Sequence, residues 1–148
     1  MEKRPAVFKI ITIDYAAFMA ALFPIMFWGM YLLLLALKNN PADLRTYPII
    51  ASVVTVISIL VLIWRIRLFF TIFGDGLEAS ATISNVSFYR DRGRVNYIYT
   101  HQGQKYASGN LVHKVKQTRM IEVGDEVVVM VDRNHPKRAY IRNLYLQE

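Results

Sequence analysis

The chain contains no cysteine. This excludes disulfides, thiolate metal sites and thiol nucleophiles, and it suits a reducing compartment. Histidine is scarce too. His101, His113 and His135 lie twelve and twenty-two residues apart, with no HxH, HxxxH or HExxH spacing, so they do not form a metal-ligand pattern. No GxSxG, Walker A or GxGxxG sequence occurs. Asp125 and Asp132 flank one predicted strand, where turn-capping aspartates are routine. The residues therefore read as a non-enzyme with no cofactor and no metal.

Charge is absent from two long stretches. Between Tyr15 and Leu37 there is no charged side chain, and Tyr47 to Trp64 is also free of charge. The net charge is +7, with an excess of +4 in residues 1–73 and +3 in residues 74–148. Neither half carries the dense basic stripe with interleaved aromatics that nucleic-acid binding needs. Nucleic acid is not an expected partner, whereas a lipid bilayer is.

The first apolar stretch, 15–37, has 23 residues. As a helix it spans roughly 34 Å, enough to cross a ~30 Å hydrocarbon core. It is too long for the h-region of a signal peptide, so an uncleaved span is expected. Pro24 and Gly29 lie mid-helix, and Pro24 should kink it. Phe18, Phe23, Phe27, Trp28 and Tyr31 read as lipid-facing or packing residues. A second span is expected over 48–73. Its core, Ile49 to Trp64, covers only roughly 24 Å, so the ends must help. Trp64, Arg65 and Arg67 read as membrane-interface anchors, with Leu68 to Phe73 lying in the interface. Pro48 suits the helix start, and Gly74–Gly76 reads as a hinge.

The connecting loop, 38–47, is short, so the spans form an antiparallel hairpin. Small residues let helices approach closely in lipid. Ala16, Ala17, Ala20 and Ala21, with Pro24, on the first span and Ala51, Thr55 and Ser58 on the second are the candidate helix-packing or partner surface. Asp14 opens the first span, where an acid complements the helix dipole. Its place at the edge argues against an intramembrane ion site. Lys3, Arg4, Lys9, Arg65 and Arg67 on one side outnumber Lys38 and Arg45 on the other. That count predicts both termini in the cytoplasm, with residues 1–14 as a cytoplasmic segment.

From Leu77 the period changes to two: Leu77, Ala79, Ala81 and Ile83 alternate with polar neighbours. Turns follow at Arg90–Arg94, His101–Gln104 and Gly124–Asp125. Leu111 to Arg119 is ambiguous between strand and helix. Glu126 to Val131 is a strong apolar strand, and a last strand is expected near Ala139 to Leu144. Five or six short strands within 74–148 shed their open edges best by closing. The expected fold is two transmembrane helices plus a small all-β domain, a partly open SH3-like or OB-like barrel.

The stretch 78–141 resembles the bacterial domain-of-unknown-function family 3592. Tyr97-Ile98-Tyr99-Thr100 with Gly103 and Tyr106 matches its YxYxxxGxxY hairpin, and Val123 to Val129 matches its VGdxVxV strand. Asp132 to Ala139 is similar to its DPxNPxxA turn, with Arg133 at the first proline and Val131 at the usual preceding tyrosine. The resemblance implies a small bacterial membrane protein and assigns no reaction. The functional expectation is a membrane-anchored interaction module, an accessory or assembly subunit of a larger membrane complex or a homo-oligomer. Its partner would be another membrane protein or a second copy. A small channel of oligomerised hairpins is the alternative, and a membrane immunity or stress protein a third reading.

Overall fold

The computed structural model describes residues 5–37 and 44–146. Lys3 and Arg4 of the orientation count, and Lys38 to Asp43 of the expected loop, lie outside the described residues. The elements run α1 (Val7–Ile13), α2 (Tyr15–Leu37), α3 (Tyr47–Asp75), β1 (Leu77–Tyr89), β2 (Arg92–His101), β3 (Gln104–His113), α4 (Lys116–Arg119), β4 (Glu126–Val131), β5 (Ala139–Ile141) and α5 (Arg142–Tyr145).

Helices α2 and α3 pack along a narrow seam. Covered positions on α2 include Ala17, Ala20, Pro24, Phe27, Tyr31 and Leu34, and those on α3 include Ala51, Thr55, Ser58, Leu62, Arg65, Phe69 and Ile72. Both sets alternate steps of three and four, the 3.5-residue period of a coiled-coil-like pair. Ala17 and Ala51 are fully buried, so the small residues bring the two backbones together. Trp28 Nε1 donates to Thr55 Oγ1 at 3.0 Å, and Tyr31 stacks on Tyr47 with centroids 5.9 Å apart. Elsewhere the helices are bare. Only 6% of the most apolar window of α2 and 11% of that of α3 is buried inside the protein. Core helices of a soluble protein would be covered, and apolar surface on this scale requires lipid or a partner.

The sheet is antiparallel throughout, in the order β3-β2-β1-β4-β5. Four successive reversals leave β3 and β5 parallel at its two edges. They face each other across a narrow gap, so the sheet is a five-strand, nearly closed barrel. A central β1 with two hairpin arms and a parallel closing pair is the OB-like arrangement rather than the SH3-like one. β1 can serve both arms because it is long and slips register between Ile83 and Asn85. The β2–β3 turn takes Gln102 and Gly103 through positive φ, +49° and +79°, as a two-residue primed hairpin turn requires.

Four local expectations change. The segment 1–14 carries no predicted element, yet Val7–Ile13 forms α1, with Ile10 and Ile13 buried. The ambiguous stretch resolves into the end of β3 at His113 and the short helix α4. The last strand stops at Ile141 and continues as α5. Gly74–Gly76 is not a flexible hinge, because Gly74 and Asp75 are helical and only Gly76 joins α3 to β1. A Cβ on Gly76 would lie 2.1 Å from the Ile72 carbonyl oxygen and 2.9 Å from that of Val131. Only glycine lets the helix end pass this close to β4.

The hydrophobic core is shared between helices and barrel. Ile10, Ile13 and Ala17 from the first two helices and Phe69, Ile72 and Phe73 from the end of α3 join Tyr97, Val129, Ile141 and Tyr145 in one cluster. The last turns of α3, expected at a lipid interface, instead pack one face against the barrel and α5. Phe69 packs on Tyr140 and Tyr145, with centroids 4.4 and 4.6 Å away.

Candidate functional site

Where α1, α2, α3 and the barrel meet lies a buried ion pair. Asp14 breaks the helix between α1 and α2 and caps α2, its Oδ2 accepting from the Ala17 N–H at 2.8 Å. Arg65 Nε donates to the same Oδ2 at 3.1 Å, and Arg65 Nη2 donates to Oδ1. The side chains are only 3% (Asp14) and 15% (Arg65) exposed. The guanidinium also sits over Phe69 at 5.5 Å and Tyr140 at 5.9 Å, where ring faces favour a cation. Asp14 further forms an antiparallel bridge with Val112 of β3, and Phe18, one turn on, stacks on His113 at 4.1 Å.

The gap between β3 and β5 is closed by side chains. Asn110 stands buried between the strands. Its Nδ2 donates to the Ala139 carbonyl at 2.9 Å, and its Oδ1 accepts from the Ile141 N–H at 3.2 Å. One residue bonding to both j−1 and j+1 is the pattern of a parallel ladder, so one side-chain amide replaces the missing backbone pair. Tyr97 OH also donates to the Ala139 carbonyl, and Ser108 Oγ donates to that of Lys137 at 2.9 Å. Burial pushes the Tyr97 phenol well above its ordinary range, keeping it a proton donor.

Beside this gap opens a cleft of about 260 Å³, with Asp14, Arg65 and Tyr140 on one side and Arg94, Lys137 and Arg138 around it. Among the described residues no group of three or more His, Asp or Glu side chains is placed to hold a metal ion.

The structure distributes the sequence-derived candidates as follows. Ala17, Ala20, Ala51 and Ser58 are buried, chiefly in the α2–α3 seam; Ala21, Pro24 and Thr55 are half-covered, and Ala16 faces outward. Trp64 and Arg67 are exposed, whereas Arg65 turns inward to Asp14. His101 is buried near Tyr106, with centroids 6.5 Å apart, and His135 is exposed in its turn. The reading of Asp14 as a dipole-complementing residue found its cap but not its partner 51 positions away. The clue was that Arg65 is the first charge after the second apolar stretch as Asp14 is the last before the first. Compared with family models, curated proteins and solved structures, the chain has no match in any of the three.

Proposed function

We propose that this chain is a non-enzymatic interaction module of the bacterial inner membrane, anchored by α2 and α3, with both termini and the barrel in the cytoplasm. The observation that carries this is the shared core: helices too apolar for water are welded to a soluble barrel. Such a barrel is held in one pose at the bilayer face, which suits an accessory or assembly subunit, or a homo-oligomer. The channel alternative is less well supported. Of Ser52, Thr55 and Ser58, the polar groups of the second span that could line a pore, Thr55 and Ser58 lie in the intramolecular seam, where Thr55 is engaged by Trp28, and Ser52 alone is exposed.

Orientation is tested by thiol labelling, because the chain has no native cysteine. Asn40→Cys should react with an impermeant reagent in intact cells and Lys105→Cys only after lysis; the reverse pattern overturns the topology. For function, a photo-crosslinking residue is placed at Met26 or Ile57, outward on α2 and α3, and at Leu111 or Val123 on the barrel. The helix positions should give a discrete protein adduct, with a partner or a second copy. Lipid adducts alone from the helices, with discrete protein adducts confined to the barrel, would move the partner surface off the spans.

A further inference from the structure

We propose that the cleft beside the β3–β5 gap binds a phosphate group, presented by an anionic lipid at the bilayer surface. The inference rests on the membrane-anchored reading above.

The first argument is charge. Both oxygens of Asp14, the acid of the cleft, are engaged by Arg65 and the α2 backbone. Among the described residues no carboxylate pairs with Arg94, Lys137 or Arg138. Three uncompensated cations around about 260 Å³ make a positive field that selects an anion.

The second is geometry. Arg94 Nε donates to Asn96 Oδ1 at 3.1 Å, which steadies the side chain while leaving its terminal nitrogens for a ligand. A guanidinium fork matches the oxygens of a phosphate. Gly109 maintains this arrangement, since a Cβ there would come within 2.3 Å of Asn96 Oδ1.

The third is level. Asp14 immediately precedes the uncharged run of α2, and Arg65 immediately follows that of α3. With those runs in hydrocarbon, the cleft beside the pair sits at headgroup depth. Each basic side chain near an anionic surface favours it several-fold, so the three cations together should make the cleft prefer an anionic lipid roughly tenfold or more over a zwitterionic one.

The test uses the full chain, purified in mild detergent and delipidated, with native mass spectrometry of its complexes with phosphatidylglycerol, phosphatidylcholine and inorganic phosphate. The wild type should retain one phosphatidylglycerol in preference to phosphatidylcholine. The preference should vanish in the double variant R94E/K137E, fall in the neutral R94Q/K137Q, and persist in R67E, which alters an exposed cation outside the cleft. Equal retention of both lipids by the wild type, or an unchanged preference in both double variants, would overturn the proposal. Binding of inorganic phosphate with no lipid preference would assign the cleft to a soluble phosphate and overturn the lipid source. Resistance to alkaline extraction from membranes is followed alongside. Release of the wild type would sink the anchored reading itself, whereas retention with no lipid preference would sink only the cleft.

Discussion

Replacing Arg65 with leucine is expected to cost about 3–5 kcal/mol of stability, the usual penalty for leaving one member of a buried ion pair without its partner. Asp14 would keep its cap bond to Ala17 but lose both contacts to the guanidinium, with only 3% of its side chain open to water. Asp14→Ala should cost about as much, because it strands the cation among Phe69, Tyr140 and Trp64. The double variant that carries the same two substitutions should lose much less than their sum, since taking both charges out of a buried site is often close to neutral. Thermal unfolding in detergent of the two single variants and the double, read as a mutant cycle, checks this. Additive losses would mean that the two side chains are not coupled.

Asn110→Leu is the second large effect, about 2–4 kcal/mol. The Ile141 N–H would lose its acceptor inside the barrel, and a buried donor left bare costs about 1–3 kcal/mol. The Ala139 carbonyl would retain Tyr97 but lose the amide. Because β5 is three residues long and pairs otherwise only with β4, the damage should stay local. Hydrogen exchange should therefore speed up over 139–146 while β1 and β2 remain protected. Uniform loss of protection would show that the gap is not a separately opening element.

Much of this architecture was legible because local rules and global fold agree. Two uncharged runs signalled two long helices, and period-two alternation from Leu77 signalled the sheet. The motif residues also have structural reasons. Gly124 adopts φ +95°, Asp125 Oδ2 accepts from the Glu122 N–H at 2.8 Å, and Asp132 Oδ1 accepts from the Asn134 N–H at 2.9 Å. Tyr99 donates to the Pro136 carbonyl and stacks on Tyr106 at 5.8 Å. What could not be read were features created by contact between distant segments. Nothing local distinguishes a snorkelling arginine from one that reaches 51 residues back to an aspartate. Asn110 sits in a strand context where asparagine is unfavourable, and only the neighbouring β5 supplies the reason. The alternating steps of the helix seam were half visible: the alanine stripe was seen, but its occupant, the other helix, had to be found in space.

The two ends of the described chain are knotted together by hydrogen bonds: the Ala6 N–H reaches the Tyr145 carbonyl at 3.0 Å, Lys9 Nζ reaches that of Leu146 at 2.5 Å, and Pro5 bridges to Leu146. On the ribosome this imposes an order of events. Helix α1 precedes all the other elements, whereas α5, one of those that pack on it, is made after β5. At synthesis rates of ~5–20 residues per second the N-terminal helix waits on the order of ten seconds for α5. The hairpin of α2 and α3 can insert and pair Asp14 with Arg65 in that interval. The contacts that tie Ala6 and Lys9 to the far end of the chain can therefore form only once α5 has been made, after every strand of the barrel.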